Sequence, residues 1–133
     1  MAFKDADEVR HYIGSVFTNA FDDAEIGPKL SATGIVLGFR FTEPETTLVI
    51  DTTSKTVGDG SGQPVPTAVM AMTADLGSAY WQGKVNLPLA MARGKIRVEG
   101  NVASLLKLAP LGKKLFPTYV ATLTADGRTD LLA

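Results

Sequence analysis

Ala92-Arg93-Gly94-Lys95-Ile96-Arg97-Val98-Glu99-Gly100-Asn101 packs a helix end, a strand and a helix start into adjacent positions with almost no slack. Gly94 follows the apolar run Leu89-Ala90-Met91-Ala92, where a left-handed C-terminal cap belongs. Ile96 and Val98 then point one way while Lys95, Arg97 and Glu99 point the other, as in a half-buried strand. Gly100 breaks the strand, and Asn101 is a good N-cap for the apolar segment Val102 to Leu108. Pro110 is expected to end or kink that last helix.

Upstream, the alternation continues. Ile35, Leu37, Phe39 and Phe41 alternate with Val36, Gly38, Arg40 and Thr42, Glu43-Pro44-Glu45 supplies a turn, and Leu48 and Ile50 alternate in the next strand. Thr56-Val57 gives a short third strand, Ala68, Met70 and Met72 a fourth, and Lys95 to Glu99 the fifth. Alternation with a polar outer face predicts antiparallel pairing with one face packed. A helix precedes the sheet. Val9, Tyr12, Ile13, Val16, Phe17, Ala20 and Phe21 form one apolar stripe, Asp5 and Glu8 suit its start, and Gly27-Pro28 is read as its stop. Two short helices are expected between the fourth and fifth strands. Thr73 caps the first, which turns Leu76, Ala79 and Tyr80 inward and ends at Gly83; Asn86 caps the second. Phe116 to Leu123 fits a strand and a short helix about equally. With no repeat and no linker, residues 1–133 are expected to form a single α+β domain: a five-stranded, mainly antiparallel sheet covered on one face by helices.

Composition narrows the function. At 45% hydrophobic and 20% charged, the chain has the balance of an ordinary globular domain, with apolar stretches too short for a membrane span. There is no cysteine, hence no disulfide framework and no thiolate chemistry, and the acidic N-terminus does not read as a signal peptide; a cytoplasmic location is expected. Residues 84–114 hold seven basic residues against Glu99 alone, a net of +6, while the remainder carries −7. Such segregation hints at an anionic partner.

An enzyme lacks its parts. His11 is the sole histidine and lies off the apolar stripe, one turn after Asp7, where it reads as a solvated residue weakly paired to that carboxylate. No Gly-x-Ser-x-Gly elbow is present, and one histidine without cysteine cannot assemble a zinc site of histidine and thiolate ligands. Asp22-Asp23 and the Glu43/Glu45 pair fall at a helix end and a turn, where solvation is their ordinary role. Gly58-Asp59-Gly60-Ser61-Gly62 precedes neither a helix nor a lysine and reads as a surface turn, not a phosphate loop. The basic strand lacks the aromatic residues of a nucleic-acid stacking surface, so no nucleic-acid partner is expected. No catalytic residue, metal or cofactor is assigned.

The segment Ala90 to Asn101, followed by Leu105, Leu106 and Leu108, resembles the most recognisable part of sterol carrier protein 2 domains. Val49-Ile50-Asp51, Val69-Met70-Ala71-Met72-Thr73 and Leu76 to Trp81 occur in the family's order, and the similarity covers roughly residues 5–116. The resemblance implies an apolar cavity between sheet and helices and non-catalytic binding, transfer or presentation of a lipophilic ligand: a fatty acid, fatty acyl-CoA, phospholipid, sterol or isoprenoid. The alternative it carries is an accessory factor supporting a lipid- or quinone-modifying partner enzyme. It places Phe17, Phe39, Phe41, Ile50, Met70, Met72, Leu76, Tyr80, Trp81, Leu89, Met91, Leu105, Leu108 and Leu115 on the cavity lining. Arg93, Lys107, Lys113 and Lys114 are candidates to meet a headgroup or, transiently, an anionic membrane. The chain ends Asp130-Leu131-Leu132-Ala133, not in the peroxisomal address common in animal carriers, and the tail after Phe116 matches no pattern of the family.

Overall fold

The computed structural model describes residues 2–133. Its strands Val36–Thr42 (β1), Thr46–Asp51 (β2), Thr56–Gly58 (β3), Ala68–Thr73 (β4) and Arg97–Gly100 (β5) form one sheet in the order β3-β2-β1-β4-β5. β1–β2, β2–β3 and β4–β5 are antiparallel, and Phe39 faces Leu48 across the first of these pairs. The central β1–β4 pair is parallel, with Phe39 beside Met70, which corrects the antiparallel expectation at that one seam. Alternation reports which face is covered, and it is the same in both kinds of pair.

The connection from β3 to β4 makes the parallel pair by crossing the outer face of the sheet. A Cβ added at Gly38 would lie 3.0–3.1 Å from the Pro66 ring, so glycine lets this segment lie close without displacing that ring. Gln63 pins the crossing: its Oε1 accepts from Gly60 N at 2.9 Å and its Nε2 donates to Val49 O at 3.0 Å. The glycine-rich stretch is therefore a cover over the outer face, and Val36, Gly38 and Val49 are buried on the side that alternation leaves polar.

Helices Ala6–Asp22 (α1), Ile26–Ala32 (α2), Ala74–Trp81 (α3), Leu87–Ala92 (α4), Val102–Lys113 (α5) and Phe116–Ala125 (α6) complete the fold, with a 3-10 turn at Thr129–Leu131. Asp5 caps α1 by accepting from Glu8 N at 2.9 Å. The helix stops at Asp22, five residues short of Gly27-Pro28. Asp23 Oδ1 accepts from the N–H groups of Glu25 and Ile26, both at 2.8 Å, and turns the chain into α2. Pro28 sits in the opening turn of α2, where a missing N–H breaks no intrahelical bond. Pro110 does not end its helix either, for α5 continues to Lys113.

The strand–helix junctions follow the sequence reading. Gly94 adopts φ +71°, its N–H bonds to Met91 O, and Lys95 N bonds to Ala90 O at 2.9 Å, which together make a Schellman cap on α4. Because Ile96 N also turns back to Ala90 O, pairing in β5 begins at Arg97 and not at Lys95. The side chains of Thr73, Asn86 and Asn101 accept from Leu76 N, Leu89 N and Ser104 N, capping α3, α4 and α5. α3 is rotated from the expected face. Ala74, Gly77, Ser78 and Trp81 are buried, whereas Leu76, Ala79 and Tyr80 are half-buried. Gly77 permits this, since a Cβ there would come within 2.6 Å of the Phe41 ring.

The stretch from Phe116 to Leu123 lies in helix α6, with Tyr119 and Leu123 buried four residues apart. His11 is exposed and lies edge-on to Tyr12, while Asp7 pairs with Arg10 at 3.4 Å in place of the expected histidine. Among the described residues no helix is long and apolar enough to cross a membrane.

Candidate functional site

The inner face of the sheet presents Leu37, Phe39 and Phe41 from β1 and Met70 and Met72 from β4, all buried. α1 and α3 sit directly on one part of this face. Elsewhere α2 and α5 stand over it and leave a narrow apolar cavity lined by Phe17, Ile26, Leu30, Leu37, Phe39, Met70, Tyr80, Trp81, Leu87, Leu105, Leu108, Ala109, Leu111, Gly112 and Leu115. Tyr80, Leu87, Ala109 and Leu111 remain partly exposed and form its rim, between the α3–α4 side and α5.

One wall is aromatic. Phe17 lies tilted on Phe39 at 5.8 Å between ring centroids and edge-on to Trp81 at 5.3 Å, and Trp81 continues edge-on to Phe116 at 5.9 Å. Such edge-to-face packing fixes ring positions beyond what area burial alone would do. The rest of the lining is mainly aliphatic, with Ile26 and Leu30 from α2 and Leu105, Leu108, Ala109 and Leu111 from α5 among it. Gly112 is where that helix approaches the aromatic wall, its position for a Cβ lying 3.6 Å from the Trp81 ring.

The cavity has little room in this conformation: about 40 Å³ is open to the centre of a water-sized sphere. One water needs roughly 10–15 Å³ on that measure, so a long acyl chain fits only if a wall moves outward. α5 supplies five of the fifteen lining residues. It carries Pro110 inside the helix, which leaves the Leu106 carbonyl without its usual i+4 donor. Its C-terminal end is tied across to α2 by Lys114 Nζ on Glu25 Oε1 at 3.4 Å, and Lys29 shares that carboxylate at the same distance. Hydrogen bonds first from Lys29 and then from Lys114 hold the Glu25 carboxyl below its usual range.

Of the lining residues expected from the sequence, Phe17, Phe39, Met70, Tyr80, Trp81, Leu105, Leu108 and Leu115 stand on the cavity wall. Phe41, Ile50 and Met72 lie on the same face of the sheet but are packed into the solid core, with Phe41 stacked on Phe39 and wedged against Gly77. Leu76 and Met91 are half-buried at the core margin and Leu89 is 46% exposed; none of these three reaches the cavity. Ile26, Leu30, Leu37, Leu87, Ala109, Leu111 and Gly112 are wall residues that the sequence reading passed over. The α2 pair was hidden by taking Gly27-Pro28 for a helix stop; apolar i, i+4 spacing of Ile26 and Leu30 was the available signal. Arg93, Lys107, Lys113 and Lys114 are all exposed; Arg93 follows α4, and the three lysines lie on or just after α5.

The walls offer one hydroxyl, that of Tyr80, whose ionisation burial pushes above the ordinary range. The other buried polar cluster stands away from the cavity. Ser78 Oγ bonds to Tyr119 OH at 2.9 Å, Gln82 Nε2 donates to Leu131 O at 2.8 Å, and Ala133 N donates to Gln82 Oε1 at 2.7 Å. Burial raises the Tyr119 phenol to about 12. The cluster clamps the tail against α3, and no residue beyond Phe116 lines the cavity. Among the described residues no group of three or more His, Asp or Glu side chains could hold a metal ion.

Comparison with known proteins agrees with this geometry. Among solved structures, the sterol carrier protein domain 2 of Helicoverpa armigera is similar at a TM-score of 0.67 and 22% identity, over 82% of this chain and 88% of that one. Sterol carrier protein 2 from Aedes aegypti, solved in complex with the C16 fatty acid palmitate, gives a TM-score of 0.56 at 22% identity, over 80% and 93%. The ubiquinone synthesis protein UbiJ-SCP2 gives 0.59 at 13% identity, over 80% and 94%. At such identities the likeness is one of fold. A search of curated proteins finds no significant match. The family model of the SCP-2 sterol transfer family matches residues 17–113, and the chain belongs to that family.

Proposed function

We propose that this domain binds a single long aliphatic or isoprenoid chain between the sheet and α5, and carries or presents it without chemical change. The observation that carries the reading is the apolar slot itself: its walls are aliphatic and aromatic, and Tyr80 supplies the one hydroxyl. The Aedes relative's complex with palmitate supports a fatty-acyl ligand class. Burying about twelve methylenes at ~0.8 kcal/mol each supplies about 10 kcal/mol of gross driving force. Opening the slot and ordering the chain offset part of this, leaving roughly micromolar affinity. A phenol held protonated is a poor general base, which supports a binding role over catalysis.

Native mass spectrometry after incubation with palmitic acid tests the reading, with Gly112→Leu as the blocked variant. Leucine is a good helix former, and its side chain would point from α5 toward Trp81 and fill the slot. One added palmitate on the wild type and none on a folded G112L protein is expected; equal loading of the two would remove the ligand from this cavity. Fold similarity to the UbiJ-SCP2 ubiquinone synthesis protein supports a second reading, presentation of an isoprenoid chain to a partner enzyme. Stable co-purification of such an enzyme with ligand-free protein would favour it.

A further inference from the structure

α5 is apolar on two sides. Leu105, Leu108 and Gly112 are buried toward the cavity and sheet, as a core-facing stripe requires. The opposite arc, at 3.6 residues a turn, brings Val102, Leu106 and Pro110 into line. Leu106 is 62% exposed, Val102 is 40% exposed, and Pro110 is exposed as well. A helix apolar on both sides is ordinarily covered on both.

The charges beside this arc indicate what covers it. From residue 100 to residue 125 the chain contains Lys107, Lys113 and Lys114 and not one acidic residue. Lys107 flanks the arc midway, and the other two lie at its C-terminal end. Lys114 reaches Glu25, whereas Lys107 and Lys113 have no acidic partner among the described residues. A second copy of this chain is disfavoured as the cover, because a two-fold contact through α5 would set these like charges against one another. An apolar strip rimmed by lysines is the arrangement that enters the interface of an anionic bilayer.

We propose that the outer face of α5 docks on anionic lipid bilayers, with Leu106 and Val102 entering the interface and Lys107 and Lys113 meeting the headgroups. The proposal rests on the cavity reading, for α5 is then the single layer between the bound chain and the membrane. Docking would place the rim residue Ala109, one turn on from Leu106, close to the bilayer surface, so a chain could pass with little exposure to water.

Co-sedimentation with phosphatidylcholine vesicles, either pure or containing about one third phosphatidylserine, tests it. Wild-type protein should sediment with the mixed vesicles and not with the pure ones. Leu106→Ser, a surface change that spares the fold, should weaken this binding about tenfold. Lys107→Glu with Lys113→Glu should weaken it at low salt and make little difference at high salt. Unchanged binding of L106S, or equal binding to both vesicle types, would overturn the proposal. So would a wild-type dimer in solution that L106S dissociates, which would assign the face to a second copy. Palmitate uptake measured in vesicle-free solution separates the two claims: uptake without docking rejects the docking face alone, and docking without uptake rejects the cavity reading.

Discussion

Gly100 does at one position what no other residue could. It adopts φ +87°, and a Cβ there would stand 2.5 Å from the Thr67 carbonyl oxygen, a backbone atom that cannot swing away. Gly100→Ala should therefore lower stability by about 2–3 kcal/mol. Gly94→Ala, with φ +71° and no atom within 4 Å of its Cβ, should lose only about 1 kcal/mol. Urea midpoints would check the pair, and equal losses would contradict the close-approach argument. Both glycines stood out in the sequence as punctuation; the backbone contact at Gly100 did not, because β4 and β5 are brought together by the fold. Glu8 is a second residue whose role is tertiary. Its carboxylate accepts from Arg128 at 2.7 Å, 120 residues away, and the Arg128 guanidinium stands 5.2 Å from the centre of the Tyr12 ring. The Arg128 hydrogen bond holds the Glu8 pKa below its ordinary 4.5. A depressed carboxylate contributes stability that is full above the ordinary value and is lost as pH falls through the lowered one. Glu8→Gln should melt below the wild type at neutral pH, with the gap closing between about pH 5 and 3. A gap that stays constant on acidification would mean that the pair contributes through packing alone.

Among the elements, the helices departed from the sequence reading where proline was taken as punctuation. Gly27-Pro28 opens α2, and Pro110 lies inside α5. Proline marks a missing N–H, and whether that ends a helix depends on which carbonyl would have received it. The caps at Asp5, Thr73, Asn86 and Asn101 were readable because a side chain and an N–H three residues on are a local pair. The parallel β1–β4 seam was not readable, being set by the path of the 59–67 connection across the outer face. Pro110 has a functional consequence in this account, since it loosens the wall that must move. Pro110→Ala restores the donor to the Leu106 carbonyl and should raise stability by about 1–2 kcal/mol. The stiffer helix should also slow palmitate uptake, measured by stopped-flow fluorescence. A stabilised variant with unchanged uptake would show that α5 does not gate the slot.

At the scale of the whole molecule, the sheet with its covering helices could be read from alternation and caps, and the resemblance to the family pointed to the inner face of that sheet. The limits of the wall could not. Leu37, Phe39 and Phe41 share one face of β1, yet the first two line the cavity and the third is pressed beneath Gly77 of α3. A period of two identifies a face and says nothing of how far along it the helices stand away. Nor does sequence distinguish a filled interior from a slot, since the same apolar residues build both. Here the slot is nearly closed, at about 40 Å³, so the proposed binding of a chain requires a wall to move. Trp81 is the sole tryptophan, is 4% exposed and stands on the cavity wall across from Gly112, which makes it a built-in reporter. The most direct test is to titrate the purified, delipidated protein with palmitate while recording Trp81 emission. The account predicts a saturable change with a stoichiometry of one and a dissociation constant of roughly micromolar size. Emission that stays flat up to the solubility limit of the fatty acid would contradict a chain bound between the sheet and α5.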